Sequence, residues 1–130
     1  MSLENLAKRK LLHPEPPNAR ETDNLIKAAV ERLIDARNAS LSYSSRFDLA
    51  YNAAHGLALA ALRKSGFRTD KRYLVFQCLV HTTPIDKSTV RIFSTSHNKR
   101  NLAEYEGHFE KDESFLKELI AATSELSKVV

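Results

Sequence analysis

Six polar or ring-bearing side chains between positions 97 and 108 have the types and the spacing of a functional stripe. They follow one another at offsets of three, one, three, one and three residues: His97, Arg100, Asn101, Glu104, Tyr105 and His108. If the segment is helical, this spacing places all six on one face. Such stripes are usually apolar, so a polar one must line a solvated groove or satisfy many buried hydrogen bonds. We therefore take this stripe as the candidate functional site.

Arg100 is the residue of the stripe best suited to bind an anion. A guanidinium is a planar fork of donors that can hold a phosphate through two hydrogen bonds and stabilise charge developing on a phosphoryl group. Asn101 could hydrogen-bond a base edge, a ribose or the backbone of a neighbouring helix. The first hypothesis is therefore RNA or nucleotide binding by Arg100, Asn101, His97, Tyr105 and Glu104. In the alternative, Arg100 only pairs with Glu104 along the helix.

Catalysis would need more than a bound phosphate. Cleavage of RNA through the 2′-hydroxyl requires a base that removes its proton and an acid for the leaving oxygen, and histidine suits both roles at neutral pH. The candidates beside Arg100 are His97, His108 and Tyr105. At 1.5 Å per residue, the two histidines lie roughly 16 Å apart along a helix, too far to act on one phosphodiester within one chain. A homodimer could bring one histidine from each subunit together.

The composition favours one soluble domain that could contact phosphate. The chain has 130 residues, of which 42% are apolar, enough for a real core without disulfides or metal. Its net charge is +4 and its isoelectric point is about 9.3, a modest basic excess. Basic residues cluster at 8–10 and between 63 and 72, whereas acidic residues gather at 104–118.

Several classes of protein are disfavoured. Cys78 is the only cysteine, so an intramolecular disulfide or a multi-thiolate zinc site is excluded, and we interpret Cys78 as a small buried core residue. No apolar run approaches the ~20 residues of a membrane span, so we expect a cytoplasmic protein without a membrane partner. The five histidines form no i, i+4 pair and there is no glycine-rich phosphate loop. We predict neither a metal nor a cofactor.

Hydrophobic periodicity divides the chain into an amino-terminal arm, residues 1–18, and a single helical domain, residues 19–130. The arm has a short amphipathic piece followed by a proline-rich spacer, and it could be an ordered clasp or a loose tail. Helices are predicted over about 19–39 and 45–65. A capping box of Ser45 and Asp48 opens the second helix, and Gly66 ends it.

The region 73–94 is ambiguous, because its short apolar and β-branched runs fit either a hairpin or two short helices. Asp86 is a good helix N-cap and the surrounding chain is strongly helical, so helices are favoured. Gly107 should end the polar-striped helix, and Asp112 should open a last one. The predicted fold is an all-α, antiparallel up-and-down bundle of four to five helices.

Three segments together resemble the HEPN family, the higher-eukaryote and prokaryote nucleotide-binding domains. They are Tyr51-Asn52-Ala53-Ala54-His55, Gly66-Phe67-Arg68 and the run from Arg100-Asn101 to Gly107. The resemblance covers roughly Ala19 to Val130. It implies a bundle of four or five helices that often dimerises. Many members are metal-independent RNases or the toxin halves of toxin–antitoxin pairs, whose antitoxin partner is a small nucleotidyltransferase.

The resemblance also implies which residues act. Active members carry an Arg, often followed by Asn, and a His four to six residues after the Arg. Arg100 and Asn101 fit this pattern, but Tyr105 stands where the pattern most often has His, and His108 comes later. The resemblance therefore implies a binding-type or degenerate member. Two alternatives stay open: a protein–protein interaction module that docks a nucleotidyltransferase, and a weak RNase that uses His97 or His108.

Overall fold

The computed structural model describes residues 2–130 and is all-α apart from one small two-stranded sheet, as predicted. The elements in chain order are α1 Leu3–Lys8, β1 His13–Pro14, α2 Ala19–Ala36, α3 Tyr43–Lys64, β2 Phe67–Arg68, α4 Arg72–Gln77, α5 Leu79–Thr82, α6 Lys87–Glu106 and α7 Glu113–Ser127. The four long helices α2, α3, α6 and α7 form the bundle. None of the helices in residues 2–130 has the length and apolar character needed to cross a membrane.

Contacts at both ends of α2 and α3 show that the two helices are antiparallel. Near the start of α3, Arg46 donates from Nε to the carbonyl oxygen of Ala36 at the end of α2, at 2.8 Å. Near the end of α3, Arg63 donates to Glu21 in the first turn of α2. This arrangement agrees with the six-residue connection between the two helices, which is too short for any other packing of direct neighbours.

Helix α3 is the centre of the bundle and contacts α2, α4, α5, α6 and α7. Its many alanines allow close approach on several sides, and its large side chains Phe47 and Tyr51 are fully buried. Helix α6 passes α3 in the opposite direction, because His97 contacts Tyr51 whereas Arg100, one turn later, approaches Asp48. The central position of α3 brings it against the polar stripe of α6.

Local capping signals predicted both boundaries of α6 and the start of α7. Asp86 accepts a hydrogen bond from the Thr89 backbone N–H at 2.9 Å and opens α6. Asp112 does the same for Phe115 at 3.0 Å and opens α7. Gly107 has φ = 82°, the left-handed conformation that glycine adopts without strain, and it ends α6. These predictions are confirmed.

The predicted start of α3 is wrong. Instead of a capping box formed by Ser45 and Asp48, the N-cap is Ser42, whose Oγ accepts a hydrogen bond from the Ser45 backbone N–H at 3.2 Å. The earlier start has a tertiary cause. Tyr43 is buried and donates from its hydroxyl to the Asp112 carbonyl oxygen at 3.3 Å, so the first turn of α3 packs against the start of α7.

The ambiguous region 73–94 is helical and not a hairpin. Its first half forms the short helices α4 and α5, as favoured from the sequence. Its second half is not a separate short helix, because α6 continues without a break from Lys87 to Glu106. The polar stripe therefore begins in the middle of a 20-residue helix. Cys78, between α4 and α5, is buried as expected, and burial raises the pKa of its thiol to about 11.

The amino-terminal arm is an ordered clasp. Its residues Leu3, Leu6 and Leu12 belong to the same hydrophobic core as the bundle helices. Strand β1 pairs with β2 in antiparallel fashion, with His13 opposite Arg68. The arm is thus joined to the far end of α3, through apolar burial on one side and backbone pairing on the other.

A buried arginine fixes this clasp. Arg63, near the end of α3, is only 1% exposed. Its four hydrogen bonds go to the carboxylate of Glu21 (2.6 Å) and to the carbonyl oxygens of Pro16 (2.8 Å), Glu15 (3.0 Å) and Phe67 (3.4 Å). The carboxylates of Glu15 and Glu21 also pair with Arg68. We call Glu15, Glu21, Arg63 and Arg68 the Arg63 clasp. It contains two cations and two anions, and the charges balance.

Candidate functional site

Tyr51 is the centre of a polar cluster between α3, α4 and α6. Its ring is fully buried, and its hydroxyl lies 2.9 Å from Nδ1 of His97. Two guanidinium groups lie over the same ring, that of Arg100 at 5.1 Å and that of Arg72 at 5.7 Å from the centroid. These distances are typical of cation–π contacts. We call Tyr51, Arg72, His97 and Arg100 the Tyr51 cluster.

Both ring nitrogens of His97 are engaged. Nε2 lies 3.1 Å from the amide nitrogen Nδ2 of Asn101, a donor, so Nε2 accepts this hydrogen bond and the ring proton is on Nδ1, which donates to Tyr51. Burial lowers the pKa of His97 below its usual range, and the positive charges of Arg100 and Arg72 lower it further. His97 is therefore neutral at pH 7, and neither nitrogen is free to act as a base.

Arg100 forms one close ion pair and leaves one buried donor without a partner in the described chain. Its Nη2 lies 3.1 Å from Oε1 of Glu104, the ion pair expected along the helix, and its Nε lies 4.0 Å from Oδ1 of Asp48. Neither contact has the geometry of a hydrogen bond, and the buried Nε has no hydrogen-bond partner within residues 2–130. The side chain is 26% exposed, so solvent or a ligand can reach it. The pairing of Arg100 with Glu104 along the helix, the alternative expected from the sequence, is therefore present, and Arg100 also contacts the Tyr51 ring.

Arg72 supplies charge that no carboxylate balances. It lies in the first turn of α4 and donates from Nη1 to Oδ1 of Asn52 at 3.1 Å. No carboxylate of the described chain lies within ion-pairing distance of it. Since Asp48 and Glu104 approach only Arg100, the Tyr51 cluster has positive charge in excess on the side of Arg72. An anion can be held there by charge and by guanidinium donors together.

Two further rings flank the cluster. Tyr73, next to Arg72, is 46% exposed, and its ring centroid lies 5.7 Å from that of His97. His55 lies on the inner side, edge-on to Phe76 with the ring centroids 6.1 Å apart. Burial lowers the pKa of His55 to about 4, and the charge of Arg72 adds to this effect. The cluster thus has a buried neutral imidazole behind it and an exposed aromatic surface beside it.

A groove of about 610 Å³ lies on the other side of Arg100. Among the residues that line it are Tyr43, Asp48, Arg100, Glu104, Phe109 and Lys111. We call it the Arg100 groove. The carboxylate of Asp48 accepts no hydrogen bond from any residue of the described chain. Burial raises the pKa of Asp48 above its usual range, and the charge of Arg100 opposes this shift.

The six residues of the predicted stripe do not act as one face. His97, Arg100 and Asn101 meet at the Tyr51 cluster, and Glu104 joins Arg100 in the groove. His108 also lines the groove, but it does so from the loop after α6, because Gly107 has already ended the helix. Tyr105 is 91% exposed and lines neither the cluster nor the groove. Its side chain lies on the solvent side of α6.

Sequence reasoning missed the partners from other elements, namely Tyr51, Arg72, Tyr73 and Asp48. Two weak signals pointed to them. Arg72 belongs to the basic cluster at 63–72, and Tyr51 is part of one of the segments that carry the family resemblance. Neither signal indicated that they would meet at α6. Within residues 2–130, no three His, Cys, Asp or Glu side chains converge in a way that could hold a metal ion.

Comparisons with models of known protein families, with curated proteins and with solved structures found no match. The two features of the molecule that could bind a ligand are the Tyr51 cluster and the neighbouring Arg100 groove.

Proposed function

We propose that this chain binds the phosphate groups of RNA or of a nucleotide at the Tyr51 cluster, as a non-catalytic helical domain of HEPN type. The observation that carries the proposal is the placement of two guanidinium groups over one buried ring, of which Arg72 has no carboxylate partner in the described chain. Guanidinium groups hold phosphate oxygens through paired, charge-assisted hydrogen bonds.

The arrangement is already ordered for such a ligand. Tyr51 and Asn52 hold Arg72, and Tyr51 and Glu104 hold Arg100, so little side-chain freedom remains to be lost on binding. The exposed ring of Tyr73 offers a face on which a base can stack, a sequence-tolerant contact common in single-stranded RNA binding. Phosphate contacts and stacking together favour single-stranded RNA over a small inorganic anion.

Catalysis is not part of this proposal. A general base needs a free nitrogen, and both nitrogens of His97 are engaged in hydrogen bonds. His108 is exposed in a loop, and Tyr105 lies outside the cluster. A homodimer, a nucleotidyltransferase partner of the toxin–antitoxin kind and a cytoplasmic location, all expected from the sequence, remain parts of the proposal. Light scattering of the purified chain would test the dimer.

A second candidate function is docking of a protein partner. Leu102 is 57% exposed and Tyr105, one turn later on α6, is 91% exposed, beside the exposed Glu106. Tyrosine is enriched at protein interfaces, and an exposed leucine beside it adds apolar surface. This candidate predicts partner binding that depends on Tyr105 and is unaffected by changes at Arg72.

The deciding experiment measures the binding of a labelled single-stranded RNA by fluorescence anisotropy at low salt. Arg100→Gln and Arg72→Gln should each weaken binding by about tenfold, the loss expected for a charge-assisted hydrogen bond. The matched control is Arg32→Gln, which removes the same charge from an exposed position on α2 and should change the affinity less than about twofold.

Two outcomes would contradict the proposal. If the wild-type chain binds no RNA, or if Arg32→Gln weakens binding as much as the two cluster variants, the Tyr51 cluster is not a phosphate site and protein docking is favoured. RNA cleavage that survives chelation of metals but disappears in Arg100→Gln would instead identify the chain as a metal-independent RNase.

A further inference from the structure

The Arg100 groove contains hydrogen-bonding groups that the phosphate site does not use. Asp48 presents a half-exposed carboxylate with no hydrogen bond from the described chain, and only one oxygen of Glu104 faces Arg100. Lys111 lines the same groove and can donate to a ligand. Acceptors and donors thus face one cavity that opens directly beside Arg100.

The groove also has an aromatic wall. Phe109 and Tyr43 both line it, in an edge-to-face arrangement with the ring centroids 6.3 Å apart, and Phe109 packs on Phe47 at 4.8 Å. A flat, apolar ligand face can therefore lie against rings that are themselves held in place by the core. The volume of about 610 Å³ is within the range of small-molecule sites and is ample for a purine.

These features together select among the bases. A carboxylate has two acceptor oxygens side by side, and guanine is the only common base with two adjacent donors, N1–H and the N2 amino group, on one edge. Guanine also carries acceptors at O6 and N7, which cationic side chains recognise. Adenine offers one donor group beside an acceptor at its Watson–Crick edge, so a carboxylate can satisfy it only in part.

We propose that the Arg100 groove binds guanine, with the carboxylate of Asp48 accepting from N1–H and N2–H and Lys111 donating to the O6 and N7 side. This inference rests on the proposed function, because Arg100 is common to both sites and would hold a phosphate of the same nucleotide. It adds the identity of the base. Asp48 is then the residue that determines specificity, and the Tyr51 cluster supplies affinity that does not depend on the base.

The test compares GMP, IMP and AMP by isothermal titration calorimetry with the wild-type chain. GMP should bind about tenfold more tightly than AMP, and IMP, which lacks the N2 amino group, should fall between them. Asp48→Asn should remove most of this preference, since an amide offers one acceptor and one donor. Asp35→Asn, an exposed position at the end of α2, is the matched control and should leave the preference intact.

Single-stranded RNAs that differ only in one G or A then distinguish the source of the guanine. Tighter binding of the G-containing RNA than of GMP identifies an RNA ligand, and equal or weaker binding identifies a free nucleotide. If GMP and AMP bind equally and Arg72→Gln weakens both, the phosphate site stands and the guanine proposal is overturned. If no nucleotide or RNA binds, both proposals fail. A preference unchanged in a folded Asp48→Asn variant also overturns the role of Asp48.

Discussion

Arg63 and Arg100 both lie on long helices of the bundle, but they differ in burial and in the number of hydrogen bonds that they make. Arg63 is 1% exposed and makes four hydrogen bonds, three of them to backbone carbonyls of the arm and β2. Arg100 is partly exposed and donates no regular hydrogen bond within the described chain. A saturated, buried guanidinium supports the fold, whereas a partly exposed one with a single close ion pair can still be reached by a ligand.

The surroundings of the two residues differ in charge as well. In the Arg63 clasp, Glu15 and Glu21 balance the two arginines, and the hydrogen bond from Arg63 holds the pKa of Glu21 below its usual range. At the Tyr51 cluster, burial lowers the pKa of His55 and His97, and the positive charges of the arginines lower it further. The molecule therefore has one region in which arginines and carboxylates balance and another in which Arg72 has no carboxylate partner in the described chain.

The largest expected effect is that of Arg63→Leu on stability. The change leaves three carbonyl oxygens of the arm and β2 without their donor and Glu21 without its main partner. Loss of one partner from a buried ionic network costs about 3–5 kcal/mol. Urea unfolding followed by circular dichroism would measure this loss. A cost below about 1 kcal/mol would show that the clasp is not the structural region we describe.

The next largest effect is the dependence of stability on pH. His55, beside the Tyr51 cluster, and Glu21, in the Arg63 clasp, should affect stability in different pH ranges. His55 stays neutral in the folded state down to a pKa of about 4, but is protonated in the unfolded state below about 6.5. The unfolded state thus binds more protons in this interval, and stability falls as the pH decreases from 6.5 to 4, by roughly 2 kcal/mol. Glu21, whose pKa is lowered, loses its contribution only below about 4.5.

Replacement of His55 tests whether this residue causes the loss of stability between pH 6.5 and 4. A His55→Gln variant should lose markedly less stability than the wild type between pH 6.5 and 5, where few carboxylates titrate. His81→Gln, at an exposed position on α5, should behave like the wild type. Identical pH profiles for His55→Gln and the wild type would mean that the surroundings of His55 do not hold its pKa below the usual range.

A smaller effect is expected for the stability of Arg100→Gln. Because Arg100 has only a partly exposed ion pair and a cation–π contact to lose, the free energy of unfolding should fall by less than about 1 kcal/mol. The same urea titration used for Arg63→Leu provides the comparison. If Arg100→Gln is as destabilising as Arg63→Leu, the two arginines have the same structural role and the contrast between them disappears.

The smallest expected effect is an increase in RNA-binding affinity. Glu104 competes with any phosphate for Arg100, so Glu104→Gln should tighten the binding of a uridine-only RNA by about two- to threefold at low salt. Fluorescence anisotropy would detect the change, with Glu118→Gln, exposed on α7, as the control. Weaker binding by Glu104→Gln would indicate that Glu104 contacts the ligand directly.

The sequence predicted the fold where the signals are local. Asp86, Asp112 and Gly107 act on backbone groups within three or four residues, and the structure places the boundaries there. The sequence predicted fewer helix boundaries where a tertiary contact determines them. The start of α3 depends on Tyr43 reaching Asp112, a contact between residues far apart in the chain. The prediction of separate short helices missed the continuity of α6 for a similar reason.

The candidate site shows the same division. The stripe on α6 includes His97, Arg100 and Asn101, which lie together in the structure because a helical period relates them. It could not indicate which side chains from α3 and α4 lie opposite. Arg63, Arg68 and Arg72 formed one basic cluster in the sequence, yet one is buried, one is ion-paired and one has no carboxylate partner in the described chain. The three arginines differ because Glu15 and Glu21 lie next to Arg63 and Arg68 but not next to Arg72.

The strand pairing between β1 and β2 has a consequence for synthesis on the ribosome. Glu15 is translated 48 residues before Arg63, its partner. Until α3 and β2 have left the exit tunnel, the Arg63 clasp and the strand pairing of the arm cannot form, and its leucines would be exposed to chaperones. Pulse proteolysis of stalled nascent chains should therefore show protection of the first 15 residues only after β2 has emerged.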